Sequence, residues 1–314
     1  MTWSMRLLYA VLWLAGLLPL RILHAIGSVF GDLLWWRNGR ERRITTINLA
    51  LLETQDRALA GQVDARGVLR ETGKAALEVA KVWSGRPQQA LALVREVRGL
   101  DLFEEALAKG KGVIIAAPHL GCWELLSYWL AARTSLAIVY RPPRHGRFEP
   151  LLIKARGASK VEQVRAEGAG VRSLYRRLAA GGVVGILPDQ QPRQGEGEFA
   201  PFFGIEALTM VLVPRLAERT GATVLLAFAE RLPRGAGFRI QIVHDMGNFR
   251  CQVLEVGFSL GQSGRFRGDA EGHVARGEAD RFQPDQRLLG FPQTAQRLFQ
   301  PFMQFGEIGL AQMD

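Results

Sequence analysis

Cysteine is scarce in this chain. Only Cys122 and Cys251 occur among 314 residues, too few for a disulfide framework and without the paired spacing of a zinc site. A reducing, cytoplasmic setting for the main domain fits that usage. The basic stretches also lack interleaved aromatics, a helix-turn-helix pattern and any known RNA-binding motif, so nucleic acid is not an expected partner. Missing too is a long unbroken apolar run. Leu7 to Leu20 is uncharged, Arg21 interrupts it, and Ile22 to Trp36 resumes with His24 and Asp32 as its ionisable residues. The uncharged part is shorter than the roughly 18 residues of a confident spanning helix, and Pro19 would bend it.

What is present points to a folded domain at a membrane. Hydrophobic residues make up 48% of the chain, enough for a sizeable core, and the length suits one large α/β domain with an appendage. A net charge of +10 and a pI near 10.3 call for an anionic partner surface. Trp3 at one end of the apolar stretch and Trp35 and Trp36 at the other bracket it as aromatics do at headgroup level, and Arg37, Arg40, Arg42 and Arg43 follow at once. The expectation is an N-terminal membrane helix with the downstream domain in the cytoplasm. A cleaved signal peptide ending near Ala25-Ile26-Gly27 and a buried core helix are the alternatives. Three regions follow: an anchor with its basic border over residues 1–45, an α/β domain over 46–248, and a divergent tail over 249–314 in which Gly261 to Asp285 is polar, Gly-rich and Arg-rich without clear period.

Within the domain, residues 43–98 read as helices, including Gly73 to Trp83 and Gln89 to Val97. Asp101 is placed to cap a helix over Leu102 to Lys109. A βαβ rhythm then begins, with strands from Val113, over Leu136 to Tyr140, from Val183, over Thr223 to Ala229 and over Phe238 to Val243. Helical texture returns over Val171 to Ala180 and Leu208 to Thr220. The fold class is α/β, with a mostly parallel sheet of four to six strands covered by helices.

Two strand ends carry the chemistry. Val113-Ile-Ile-Ala-Ala-Pro118 runs into His119, and Val183-Val-Gly-Ile-Leu-Pro188 runs into Asp189. In a parallel sheet both ends open on one edge, the edge where α/β folds bind ligands, so Asp189 is placed to face His119. Glu124 follows His119 by five residues. On one continuous helix the two side chains would point about 140° apart, so they meet only if His119 sits in the turn. The expected geometry is His119 on the loop and Glu124 in the first helical turn, its carboxylate holding the imidazole as a general base toward a hydroxyl. The bland alternative is a capped helix start with a satisfied histidine. Cys122 as nucleophile, or His119, Cys122 and Glu124 as metal ligands, is disfavoured because no further His/Cys cluster accompanies them, and no metal is expected.

The His119-Leu-Gly-Cys-Trp-Glu124 motif behind an apolar strand resembles that of the late acyltransferases of lipid A biosynthesis, within the wider lysophospholipid acyltransferase group. Tyr140-Arg141-Pro142, Arg156-Gly157, Pro188-Asp189-Gln190 and Phe199-Ala-Pro-Phe-Phe-Gly204, read as a loop, stand in the order and spacing of that family, over about residues 5–245. The resemblance implies a glycerolipid-acyltransferase-like fold and transfer of a fatty acyl chain from acyl carrier protein to a hydroxyl of a lipid A precursor at the bacterial inner membrane. It implies no cofactor beyond the acyl thioester, and it gives His119 and Glu124 the catalytic roles and Arg141, Arg156 and Asp189 substrate contacts. Membrane lipids complete the partners. The basic aromatic run that usually ends the family, of the His-Arg-Arg-Phe kind, is missing after Asn248. A lysophospholipid or aminolipid acceptor, and a non-catalytic membrane-surface protein, are the competing functions.

Overall fold

The computed structural model describes residues 3–55, 63–84, 86–140, 153, 156, 161–190, 192, 195–202 and 205–244. The tail over 249–314, Arg141, Gly157, Phe203 and Gly204 lie outside them.

Four helices open the chain: α1 (Trp3–Ala15), α2 (Leu20–Trp36), α3 (Arg40–Gln55) and α4 (Ala65–Trp83). The domain boundary expected near residue 45 falls inside α3. Asp64 caps α4 by accepting from the Gly67 N–H at 2.8 Å. A short α5 (Pro87–Leu91) leads into β1 (Val94–Arg98), α6 (Leu100–Ala108), β2 (Val113–Ala116), α7 (Trp123–Ala131), β3 (Leu136–Tyr140) and β4 (Glu162–Arg165). The chain continues through α8 (Ala169–Ala179), β5 (Val183–Ile186), β6 (Gly197–Phe202), β7 (Ile205–Met210), α9 (Leu212–Thr220), β8 (Thr223–Arg231) and β9 (Phe238–Val243).

Seven strands form the main sheet in the order β1-β9-β8-β2-β5-β3-β4. The block from β8 to β4 is parallel throughout, while β9 runs antiparallel to β8 and parallel to β1. The mostly parallel sheet anticipated above is therefore present, with more strands than anticipated. β2 lies between β5 and β8, which explains its unbroken apolar sequence: all four of its residues are buried because helices cover both faces. Val113 and Ile115 pack on the side of α4, α6 and α7. Ile114 packs on the other side, with Leu174 and Leu178 of α8 and Val213 and Leu216 of α9.

Four local expectations are corrected. Val94 to Val97 is a strand rather than part of a helix, because β9 pairs with its backbone in parallel register, a long-range contact that helix-like spacing does not report. The helix expected over Leu102 to Lys109 spans Leu100–Ala108; it follows Gly99, whose φ of 74° puts the backbone in the left-handed region, so Asp101 lies in the first turn rather than at the cap. Of the Phe199 to Gly204 stretch read as a loop, Phe199 to Phe202 lies in β6, paired antiparallel with β7. That pairing also takes Leu208 to Met210, so the next helix begins at Leu212.

Candidate active site

β2 and β5 pair in register, with Ala116 opposite Ile186, and the Ala117 N–H donates to the Ile186 carbonyl at 2.8 Å. His119 and Asp189 each lie three residues beyond that pair, so both emerge at the carboxyl edge of the sheet. They meet there. The Asp189 carboxylate accepts the His119 backbone N–H through Oδ2 at 2.7 Å and bonds the imidazole Nδ1 through Oδ1 at 2.9 Å. Two contacts to one carboxylate fix both the loop and the ring. The ring of Trp123 meets the imidazole edge-on, centroids 5.0 Å apart, and limits its tilt.

The loop itself is tied to the neighbouring strand. Gly121 has a φ of 62°, and a Cβ there would lie 1.9 Å from the Ala229 carbonyl oxygen of β8; only glycine fits. The next N–H, of Cys122, donates to that same carbonyl at 2.9 Å. α7 then starts, and its first N–H groups, at Trp123 and Glu124, are those a helix start leaves without an intrahelical acceptor.

As expected, His119 lies on the loop and Glu124 in the first turn of α7. The hydrogen bond expected between them is not formed. Glu124, 3% exposed, is instead held by Arg156, whose Nη2 donates to Oε1 at 2.6 Å and whose Nε lies 3.2 Å from both carboxylate oxygens. The physical reason is competition for partners: Asp189 reaches Nδ1 from the adjacent strand, and a buried carboxylate beside an arginine fork takes the fork. Burial draws the Arg156 guanidinium toward lower pKa, and the charge of Glu124 more than offsets it, so its net displacement is upward. Tyr128, one turn along α7, is pushed up to about 12 by its own burial and then by the Glu124 charge.

Cys122 is buried, and burial followed by the charge of Glu78 pushes its thiol well above the usual range. That environment opposes a thiolate nucleophile. Among the described residues no group of His, Cys, Asp and Glu has the arrangement of a metal site.

The sequence profile described as bacterial lipid A biosynthesis acyltransferase matches residues 1–251. The chain belongs to that family. It is accordingly an O-acyltransferase, of a family that needs no cofactor beyond the acyl donor. Among its relatives, the lipid A biosynthesis lauroyltransferase of Escherichia coli K12 is 24% identical over 244 residues, covering 76% of this chain and 77% of the relative. A phosphatidylinositol mannoside acyltransferase of Mycobacterium tuberculosis is 30% identical over 156 residues, covering 48% of this chain and 49% of the relative.

Three features of this acyltransferase site were absent from the sequence reading: the Trp123 contact, the stitch from Gly121 to Ala229, and the Glu124–Arg156 pair. The glycine was the one available signal, since a Gly between a strand end and a helix marks a close backbone approach. The pairing of residues 32 apart had none.

Proposed function

We propose that this family member transfers a fatty acyl chain from a carrier-bound thioester to a hydroxyl of a lipid A precursor, with His119 as general base. The observation that carries the reading is the Asp189 carboxylate on Nδ1. With Nδ1–H donating to Asp189, Nε2 is the ring nitrogen whose lone pair is left for the acceptor hydroxyl. Nε2 takes the proton of the acceptor hydroxyl as its oxygen adds to the thioester carbonyl. The C–S bond then breaks, and the leaving thiolate recovers that proton from Nε2–H, giving an ester and a free thiol. No acyl-enzyme is needed.

The roles change with the geometry. Asp189 becomes the positioning residue for the imidazole instead of a substrate contact. Glu124 and Arg156 form a buried charge pair beneath the loop, setting α7 so that its first N–H groups meet the developing oxyanion. Arg141, outside the described residues, is kept as a phosphate contact of the acceptor. The acidic carrier protein and the phosphorylated acceptor both suit the net charge of +10. The site faces the cytoplasm at the inner membrane, where the apolar N-terminal helices hold it.

The partial likeness to a phosphatidylinositol mannoside acyltransferase supports a second reading, in which the same site acylates another membrane glycolipid. Mass spectrometry of lipid A from producing and deletion cells separates the two. The deletion and the His119→Ala variant should each lack one acyl chain. An unchanged acyl count in the deletion overturns the lipid A acceptor, and full activity of purified His119→Ala on any acceptor overturns the base.

A further inference from the structure

Every large hydrophobic side chain left exposed among the described residues, apart from Ile153 and Phe199, lies between Trp3 and Trp36. A water-facing surface scatters such residues singly. On α2 they form one stripe at helical spacing, through Ile22, Ile26, Val29, Leu33 and Trp36. The opposite stripe, Leu23, His24, Gly27 and Gly31, is buried, and protein buries it. A Cβ on Gly27 would lie 2.7 Å from the Gly73 carbonyl of α4, and one on Gly31 would lie 2.4 Å from the Leu69 oxygen, so the two backbones are in contact. Asp32 extends that join, its carboxylate bonded to Arg66 and Arg70 of α4 at 2.7 Å. α2 thus has one face packed on protein and one apolar face left open.

Length decides how it meets the lipid. At 1.5 Å per residue, the 17 residues of α2 extend about 25 Å, less than the roughly 30 Å of a hydrocarbon core. α1 has 13 residues and is bent from α2 by 119°. No single helix among the described residues is long and apolar enough to cross.

We infer that α1 and α2 enter only the near leaflet of an anionic phospholipid bilayer, as a bent in-plane wedge with both ends on the side of the catalytic domain. The inference rests on the membrane reading of the preceding subsection and specifies its geometry. Charge complementarity supports the occupant. Arg37, Arg40, Arg42 and Arg43 follow the last apolar turn, and Arg42 stacks on the Trp35 ring at 3.7 Å while donating to its carbonyl at 3.1 Å. A cation and an aromatic ring are thereby pinned together at the level where headgroups would lie.

The wedge is also fastened to the catalytic edge. His24 Nε2 lies 2.7 Å from Oε1 of the buried Glu78 on α4, and Arg231 at the end of β8 pairs with both Glu78 oxygens. Two residues before Arg231 is Ala229, the strand position that holds the His119 loop. Lipid-facing helices and imidazole edge are parts of one packed unit, so an acceptor with several acyl chains approaches His119 without leaving its leaflet.

The test uses the full chain with an N-terminal epitope tag in bacterial inner-membrane vesicles. Protease should remove the tag in inside-out vesicles and leave it intact on spheroplasts, because the N-terminus stays on the cytoplasmic side. Purified protein should sediment with phosphatidylglycerol–phosphatidylethanolamine vesicles, and Ile26→Glu with Val29→Glu should weaken that binding by about tenfold or more. Both positions are exposed, and an unchanged circular dichroism spectrum verifies the fold. A tag cut only on spheroplasts, with the chain still membrane-bound, overturns the wedge and leaves the acyltransferase reading in place. Double-variant binding as tight as wild type also overturns it. Failure of the wild-type chain to bind vesicles or membranes removes the membrane reading itself.

Discussion

Glu78 and Glu124 are the most deeply buried glutamates among the described residues, and their surroundings differ in an instructive way. Glu124 is five residues from a histidine yet bonds Arg156; Glu78 is 54 residues from His24 and bonds it at 2.7 Å. Both are neutralised by arginine, at separations of 32 and 153 residues. The Glu124 centre lies beside the loop that carries His119, whereas the Glu78 centre joins α2, α4 and β8. Nearness along the chain therefore said little about which carboxylate serves which imidazole. Strand adjacency and burial decided it: His119 received Asp189 because β2 and β5 are neighbours, and His24 received Glu78 because α2 lies against α4.

The largest effect that separates the two centres is expected from Glu78→Ala. It leaves the Arg231 guanidinium, 6% exposed, with Glu71 as its remaining carboxylate partner, and should cost about 3 kcal/mol of stability, read as a lower thermal midpoint. The midpoint should recover in part when Arg231→Met is added. Asp189→Asn should do the opposite. Its side chain is about a third exposed, so the midpoint should move little, while kcat falls about a hundredfold or more because the imidazole loses its anionic partner. Equal losses of kcat in Asp189→Asn and Glu124→Gln, with unchanged midpoints for both, would contradict the division of roles.

pH separates the centres next. Burial alone would raise the Glu78 carboxyl, but the charge of Arg231 and the hydrogen bonds from His24 and Arg231 hold it below its ordinary value. A depressed folded pKa gives stability that is complete above the unfolded Glu value of about 4.3 and is lost as pH falls through the folded one. Tyr128 beside Glu124 has the reverse sign: its pKa of about 12 lies above the ordinary 10, so its contribution holds below pH 10 and is lost as pH rises from 10 toward 12. Thermal midpoints across pH should therefore fall at the acid end through Glu78, a fall reduced in Glu78→Gln, and at the alkaline end through Tyr128, a fall absent in Tyr128→Phe. The smallest effect belongs to Cys122. Maleimide should leave it unlabelled in the folded protein, and Cys122→Ala should keep activity within about twofold of wild type; a large loss would revive a thiol role.

Much of the fold was legible in the sequence, and the reason is local. Val113 to Ala116 and Val183 to Ile186 are apolar runs too short for helices, flanked by glycine and proline, and a strand buried on both faces is the consistent reading. The shared Pro-His and Pro-Asp endings placed His119 and Asp189 on one edge because parallel strands end together. β1 and the β6–β7 hairpin were not legible. Val94 to Val97 has helix-like spacing, and only the distant β9 makes it a strand; Phe199 to Phe202 looks like part of a loop until β7 pairs with it. The site divides in the same way. Its residue types were legible from the strand ends, its partners were not, since a hydrogen bond between residues 70 apart depends on which strands are neighbours.

The sequence by itself determined an α/β chain with a basic, apolar-headed N-terminus and a histidine delivered at a strand's end, because strand and turn preferences act over a few residues. Tertiary structure decided that Asp189 rather than Glu124 holds the imidazole, that Arg156 answers Glu124, and that α2 shows one face to α4 and the other outward. Those choices depend on sheet order and helix packing, where burial makes an unpaired charge costly and leaves each carboxylate to the cation the fold brings nearest.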